Sequence, residues 1–293
     1  MKIGRGILTH RQDMVPVLRD FYKDKTDFLV VAYNSHSVAP AEFTQTDRFK
    51  LFPYFGKGKA GNVAGQQYLV WKDIAKQYPD IDAWVMHDYD VLVRPSDGAI
   101  FSHISEGMYA TIGLPFAIWQ KGMKGDTTTD PFPFNLLHYY TPRVSKDDTF
   151  SKLEPVLLKE YPCVFEGVET IMTSYGDFIA ANTKDVLRFD DPRLFDIPSG
   201  GAEQVPATVL THAKLSAVDL RRFFKIKMTL DPSLFVDFDE QYDISHTVKF
   251  WPGSSVKPTL KQRLIRFLKP YVTKSFPLIG GPVQLKAQKG RLV

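Results

Sequence analysis

The stretch that decides the fold is WVMHDYDVLV, residues 84–93. Its first three residues are apolar, aspartates stand at positions 88 and 90, and the apolar run 91–93 follows directly. A buried strand that ends in two carboxylates needs a cation or hydrogen-bond donors, because desolvating an uncompensated charge is costly. We therefore predict a buried strand over 83–86, a second short apolar piece over 91–93, and a polar site between them.

Apolar segments on both sides of this stretch alternate between strand length and helical spacing. The predicted strands are 3–8, 28–32, 83–86, 108–114 and 178–181, a short apolar piece covers 91–93, and the predicted helices are 14–21 and 62–78. Most of these strand segments are apolar runs and do not alternate with polar residues, which is typical of a mainly parallel sheet covered on both faces. We therefore expect an α/β fold with a mainly parallel mixed sheet flanked by helices. Ligands of such sheets bind at the carboxyl ends of the strands.

Composition excludes several classes of protein. With 44% hydrophobic and 24% charged residues among 293, the chain can bury a large core, which argues against intrinsic disorder. The single cysteine, Cys163, cannot form an internal disulfide. No run of about 20 apolar residues is present to span a bilayer, and the first residues lack the pattern of a signal peptide. A cytoplasmic protein is the expectation.

Charge is distributed unevenly along the chain. Residues 244–293 contain 10 Lys and Arg and no Asp or Glu, so the remainder carries 37 − 10 = 27 basic against 33 acidic residues, a net charge of −6. An acidic body argues against nucleic acid as a partner. The segment 258–268 reads as a short basic helix. The basic end could place the protein on an anionic membrane surface, at the inner face of the membrane, or it could pack on the domain with its charges solvated.

Two carboxylates at i and i+2 after a strand can bind a hard divalent cation that also holds phosphate oxygens. The alternative is a solvated turn with incidental aspartates. The segment resembles the D-x-D region of nucleotide-sugar-dependent glycosyltransferases of the GT-A fold, and the resemblance is one of arrangement over roughly residues 1–250. It implies that Asp90 is a ligand of Mn²⁺ or Mg²⁺, and that Asp88 contacts the ribose of the nucleotide or the metal.

The same resemblance divides the chain and assigns further positions. It implies a catalytic domain over 1–252, with a nucleotide-sugar-binding half (1–115) and an acceptor-binding half (116–252), and a basic C-terminal tail over 253–293. Lys59 and Asn62 belong to a glycine-containing loop that would lie near the donor, although a surface turn is an equal alternative. Glu203 resembles the general base of inverting members, and it could instead be an acidic residue of a first helical turn.

A histidine near the end of the catalytic domain completes the metal shell in many GT-A enzymes. His246 resembles it, and Lys249 would neutralise the leaving diphosphate; the alternative for His246 is a surface histidine. Imidazole suits Mn²⁺ better than Mg²⁺. Thr9 and Arg11 at the end of the first strand, and Asn34 at the end of the second, stand where the nucleotide would lie.

These residues together indicate a metal-dependent enzyme that transfers a sugar from a nucleotide-sugar donor to a glycan or lipid-linked acceptor, with inversion if Glu203 is the base. Two alternatives remain open. A nucleotidyltransferase also clusters carboxylates around Mg²⁺ on a similar sheet, and a carbohydrate- or nucleotide-binding protein could keep the sheet without the chemistry. The sequence contains no hydrolase or zinc motif.

Overall fold

The computed structural model describes residues 1–34, 43–54, 63–112, 163–165, 168–170, 178–188, 215–228, 242–246, 248, 251–255 and 260. In chain order the strands are β1 (Ile3–Thr9), β2 (Phe28–Asn34), β3 (Phe49–Tyr54), β4 (Ala83–Asp88), β5 (Val91–Val93), β6 (Met108–Thr111), β7 (Cys163–Phe165), β8 (Val168–Thr170), β9 (Ile179–Asn182), β10 (Ser216–Asp219), β11 (Ile226–Met228) and β12 (Ile244–His246). The helices are α1 (Met14–Tyr22), α2 (Val63–Gln77), α3 (Asp97–Phe101) and α4 (Thr183–Val186), and a 3-10 turn covers Leu220–Arg222.

Seven strands form the main sheet in the order β10-β6-β9-β4-β1-β2-β3. Four of the six neighbouring pairs are parallel, and β9 runs antiparallel to both β4 and β6. The predicted α/β fold class with a mainly parallel mixed sheet is therefore confirmed. Strands from beyond residue 115 share the sheet with those before it, since β9 lies between β4 and β6. The predicted basic C-terminal helix lies outside the described residues, except for residue 260.

The predicted strands and the helices predicted over 14–21 and 62–78 have counterparts with small shifts at the ends, and residues 113–114 of the strand predicted over 108–114 lie outside the described residues. The strand predicted over 83–86 extends to Asp88, and the first ends at Thr9 instead of residue 8. β3 was not predicted, because Pro53 interrupts its apolar pattern. Proline cannot donate to a sheet ladder, and it is tolerated here because β3 is the edge strand of the main sheet.

A close approach between two strands explains one glycine in the first strand. β1 and β4 pair in parallel with Gly4 opposite Trp84. A Cβ added at Gly4 would lie 2.6–2.9 Å from three ring carbons of the fully buried Trp84. The absence of a side chain at position 4 is therefore what lets this indole pack across β1.

A second sheet of three strands brings the far end of the described chain back to residues 84–93. Its order is β11-β12-β5, with β12 antiparallel to β5. The register places His246 opposite Val91, and Val91 is the residue that follows Asp90 in the chain. No helix among the described residues is long and apolar enough to cross a membrane.

Candidate functional site

The two aspartates follow the carboxyl end of β4, near the middle of the main sheet. Asp88 is the last residue of β4 and is in register with Leu8 of β1, whose carbonyl accepts a 2.9 Å hydrogen bond from the Tyr89 amide. Asp90 stands in the turn between β4 and β5 and is 7% exposed, whereas Asp88 is half-buried. The end of a parallel strand thus presents two carboxylates where ligands of such sheets bind.

His246 reaches this turn through the pairing of β12 with β5. The imidazole is 5% exposed, and its Nε2 lies 3.6 Å from Oδ1 of Asp90. The Val248 amide adds a 2.8 Å hydrogen bond to the carbonyl oxygen of Asp90, which ties the chain after β12 to the same turn. Two of the three residues that the resemblance assigned to a metal shell, Asp90 and His246, are therefore neighbours, although they are far apart in the chain.

The separation of the Asp90 and His246 donor atoms is compatible with a shared divalent cation. The 3.6 Å separation of His246 Nε2 and Asp90 Oδ1 is too long for a hydrogen bond, so a direct hydrogen bond between them does not explain their approach. Two ligand atoms that each lie about 2.0–2.2 Å from one ion can be at most about 4.4 Å apart, and the observed separation satisfies this limit. The competing interpretation is an ion pair of a protonated imidazole. Within the described part of the chain, no group of three His, Cys, Asp or Glu is close enough to form a complete site.

Thr9 and Arg11 lie beside the aspartates at the end of β1. The Thr9 hydroxyl accepts a 3.0 Å hydrogen bond from the Arg11 amide. The guanidinium of Arg11 donates to both carboxylate oxygens of Asp13, at 3.0 and 2.6 Å, and to the Ser254 hydroxyl at 2.7 Å. Arg11 is thus at the predicted edge of the sheet, and it joins this edge to residues 251–255.

Asp13 is the centre of that junction. Its carboxylate also accepts hydrogen bonds from the Ser254 hydroxyl, at 3.0 Å, and from the amide and hydroxyl of Ser255, at 3.0 and 2.9 Å. Burial opposes ionisation, but the donors from Arg11 and Ser255 outweigh it and hold the pKa of Asp13 well below its usual range. Sequence reasoning did not single out Asp13, because no local pattern reveals partners so distant in the chain.

Aromatic and amide side chains complete the described part of this edge. The ring of Tyr89 meets His10 edge-on at 5.1 Å between centroids. Asn34 at the end of β2 is in register with Tyr54 at the end of β3. Burial and the negative charge of Asp88 raise the pKa of Tyr54. The predicted Asn34 therefore shares an edge with Asp88, and Tyr54 is an addition that the sequence reasoning missed. The remaining predicted residues, Lys59, Asn62, Glu203 and Lys249, lie outside the described residues.

A buried polar cluster that the sequence reasoning missed lies next to the aspartates. Arg5 is fully buried and donates to Oδ1 of Asp97, which is 1% exposed, and to Nε2 of His87 at 3.1 Å. The guanidinium also lies 4.3 Å from the ring centroid of Tyr22. Arg5 itself was the available signal, because an arginine inside an otherwise apolar strand has to have a buried partner.

Comparison with known proteins finds no matching family and no matching curated protein. Among solved structures, a galactosyltransferase, LgtC, in complex with donor and acceptor sugar analogues, shares 11% identity over 97% of this chain and 98% of its own, with a TM-score of 0.47. A glycosyltransferase involved in glycosylation of the major capsid of PBCV-1 shares 11% identity over 38% of this chain and 50% of its own, with a TM-score of 0.25. A mannose-1-phosphate geranyltransferase from Thermus thermophilus shares 14% identity over 39% of this chain and 42% of its own, with a TM-score of 0.27. At these scores the similarities do not establish a family for the chain, which remains an α/β protein with a candidate site at the end of β4.

Proposed function

We propose that the chain is a metal-dependent glycosyltransferase that transfers a sugar from a nucleotide diphosphate sugar to a glycan or lipid-linked acceptor. The observation that carries the proposal is the approach of His246 to Asp90 at 3.6 Å beside Asp88, at the carboxyl end of β4. A mixed nitrogen and carboxylate donor set suits Mn²⁺ better than Mg²⁺.

Each residue of the proposed site has a chemical task. Asp90 and His246 would hold the metal, and Asp88 would contact the ribose or the metal. A bound divalent ion supplies charge neutralisation for the diphosphate and so makes it a better leaving group. Thr9, Arg11 and Asn34 lie at the described edge where the nucleotide would bind, and Lys59, Asn62 and Lys249 complete the proposed donor site from segments outside the described residues.

Transfer also requires a base for the acceptor hydroxyl. We assign this task to Glu203, with inversion at the anomeric carbon as the outcome. A carboxylate within hydrogen-bond reach of the hydroxyl accepts its proton as the oxygen attacks, while the bond between the anomeric carbon and the phosphate oxygen breaks. Asp177 and Glu169 are alternative bases.

The products distinguish this proposal from its competitors. Each nucleotide sugar of a panel is first tested by thermal shift with and without Mn²⁺, and those that bind are then incubated with the protein. Release of a nucleoside diphosphate supports glycosyl transfer. In a separate incubation with a nucleoside triphosphate and a sugar phosphate, release of pyrophosphate favours the nucleotidyltransferase. Binding without turnover favours the non-catalytic binding protein.

Asp90→Asn tests the metal assignment directly. We expect the variant to fold and to lose the Mn²⁺-dependent part of the donor thermal shift, because an amide is a much weaker ligand than a carboxylate. Asp80→Asn is the matched control: this carboxylate contacts Lys2 at the opposite end of β4 and is largely exposed. Glu203→Gln should keep donor binding and lose transfer. Wild-type turnover by Asp90→Asn would refute the assignment.

A further inference from the structure

We propose that Arg5, Tyr22, His87 and Asp97 form a positioning network that holds the turn at residues 88–91 and thereby sets the separation of Asp90 and His246. The four side chains are 0–1% exposed and form one connected cluster. None of them has a task in the proposed chemistry. The proposal rests on the proposed function for its consequence, metal binding, but its structural part can be tested alone.

The network holds the chain before the turn through His87. Its Nδ1 lies 2.8 Å from the carbonyl oxygen of Asp88, and its Nε2 lies 3.1 Å from Nη1 of Arg5. A carbonyl only accepts and a guanidinium only donates, so both contacts are satisfied by a neutral ring with its proton on Nδ1. Arg5 thus fixes the tautomer and orientation of the imidazole, and the imidazole in turn fixes the peptide group that joins Asp88 to Tyr89.

The network holds the chain after the turn through Tyr22. Its hydroxyl donates to the carbonyl oxygen of Val91 at 3.3 Å and accepts from the amide of Val93 at 3.1 Å. These two residues belong to β5, the strand that pairs with β12 and so carries His246 to Asp90. A single hydroxyl therefore anchors the strand on which the geometry of the Asp90 and His246 pair depends.

Arg5 links the two anchors. It bonds to His87, lies over the ring of Tyr22, and pairs with Asp97 at the start of α3. A buried ion pair seldom adds stability over apolar residues of the same volume, because desolvating both charges offsets their attraction. The pair instead holds the Arg5 guanidinium in place, so that it contacts both His87, before the turn, and Tyr22, which binds the chain after the turn. Partners behind metal ligands commonly change metal affinity 10- to 100-fold when they are removed.

Tyr22→Phe isolates the hydroxyl from the rest of the network. The variant keeps the ring beneath Arg5 and removes only the contacts to Val91 and Val93. Tyr78→Phe is the matched control, because its hydroxyl meets the Gln77 side chain at 3.5 Å, away from the turn. Two quantities are measured on the full chain: Mn²⁺ affinity, from the EPR signal of unbound Mn²⁺, and hydrogen exchange of the peptide that covers residues 88–93.

We expect Tyr22→Phe to weaken Mn²⁺ binding about tenfold and to speed exchange at residues 88–93 about tenfold, with both quantities unchanged in Tyr78→Phe. A role in packing alone would lower the melting temperature and leave Mn²⁺ affinity as it is, and that result overturns the proposal. Unchanged exchange at residues 88–93 overturns it as well. Wild-type protein that binds no Mn²⁺ refutes the proposed function, and the exchange result then decides the positioning role by itself.

A second pair of variants covers the case in which Tyr22→Phe does not fold. His87→Asn keeps an N–H donor for the Asp88 carbonyl, whereas His87→Leu, of similar size, has none. We expect Mn²⁺ affinity about tenfold weaker in the leucine variant than in the asparagine variant. Equal affinities would contradict the positioning role of this hydrogen bond.

Discussion

Stability should fall as the pH is lowered from 7.5 to 5.0, and His87 should account for about 2 kcal/mol of the loss. Burial, and next the positive charge of Arg5, lower the pKa of His87 to about 3. The unfolded chain exposes the same ring, with an ordinary pKa of about 6.5. Between these two values the unfolded state binds a proton that the folded state excludes.

The sign and size follow from this difference. A histidine whose pKa is depressed by folding contributes stability above the pKa of the unfolded chain, and this contribution is lost as the pH falls toward the folded pKa. The loss is about 1.4 kcal/mol per pH unit below about 6.5, which amounts to about 2 kcal/mol at pH 5.0 and almost nothing at pH 7.5. The depressed pKa of Asp13 acts only near and below the ordinary aspartate pKa of 3.8, outside this window.

Urea unfolding at pH 7.5 and 5.0, in EDTA, measures the effect. The free energy of unfolding should drop by about 2 kcal/mol more in the wild type than in His87→Gln, because the variant has no proton to exclude at this position. Subtracting the variant removes the contributions of other titrating groups. NMR of the folded wild type gives a second test, in which the His87 ring should stay neutral at pH 5.0. Equal pH dependence in both proteins, or a ring that titrates near pH 6.5 in the native state, would contradict the reasoning.

Two further predictions concern the sheet and the basic end. Gly4→Ala should lower the free energy of unfolding by about 1–3 kcal/mol, because its Cβ would overlap the buried Trp84 ring. Gly98→Ala in α3 is the control: this position has open space around it, so the variant should be neutral or more stable by up to about 1 kcal/mol. Urea unfolding of the two variants measures the difference, and equal effects would exclude the clash. We also propose that the basic end binds anionic membrane, so full-length protein should float with liposomes that contain anionic lipid and a chain that ends at Ser255 should not. Equal recovery of the two proteins would refute the membrane role.

The parts of the fold that the sequence predicted are those with local signals. The continuous apolar run before Asp88 predicted β4, because a strand buried on both faces needs apolar side chains at every position. The short apolar piece after Asp90 is the strand β5. The edge strand β3 was missed, since the rule that excludes proline from strands holds for central strands and relaxes at an edge. Tolerance of Pro53 depends on the strand order of the sheet, and no local pattern contains that information.

Some residues of the candidate site were likewise predicted from local sequence patterns, and others were not. The aspartates at 88 and 90 form a local motif, and His246 was assigned only through the resemblance; the structure brings it to Asp90 through the pairing of β12 with β5. The contacts of Arg5 depend on Asp97 and on the tautomer of His87, which follow from packing and not from spacing. An arginine in the middle of an apolar strand predicts that a partner exists, but it does not say which residue that partner is.

The junction at Asp13 connects the start of the basic C-terminal tail with the sheet edge that carries Asp88 and Asp90. Ser255 is bound to Asp13 just after β1, so the basic segment starts at the same edge of the sheet as Asp88 and Asp90. If residues beyond 255 bind an anionic leaflet as proposed, the membrane-binding segment follows in sequence directly after a residue that is bound at this edge. A lipid-linked acceptor would then meet the proposed metal site without leaving the bilayer surface, whereas a soluble acceptor would gain nothing from this arrangement. If the proposed membrane binding holds, this arrangement would suit a lipid-linked acceptor better than a soluble glycan.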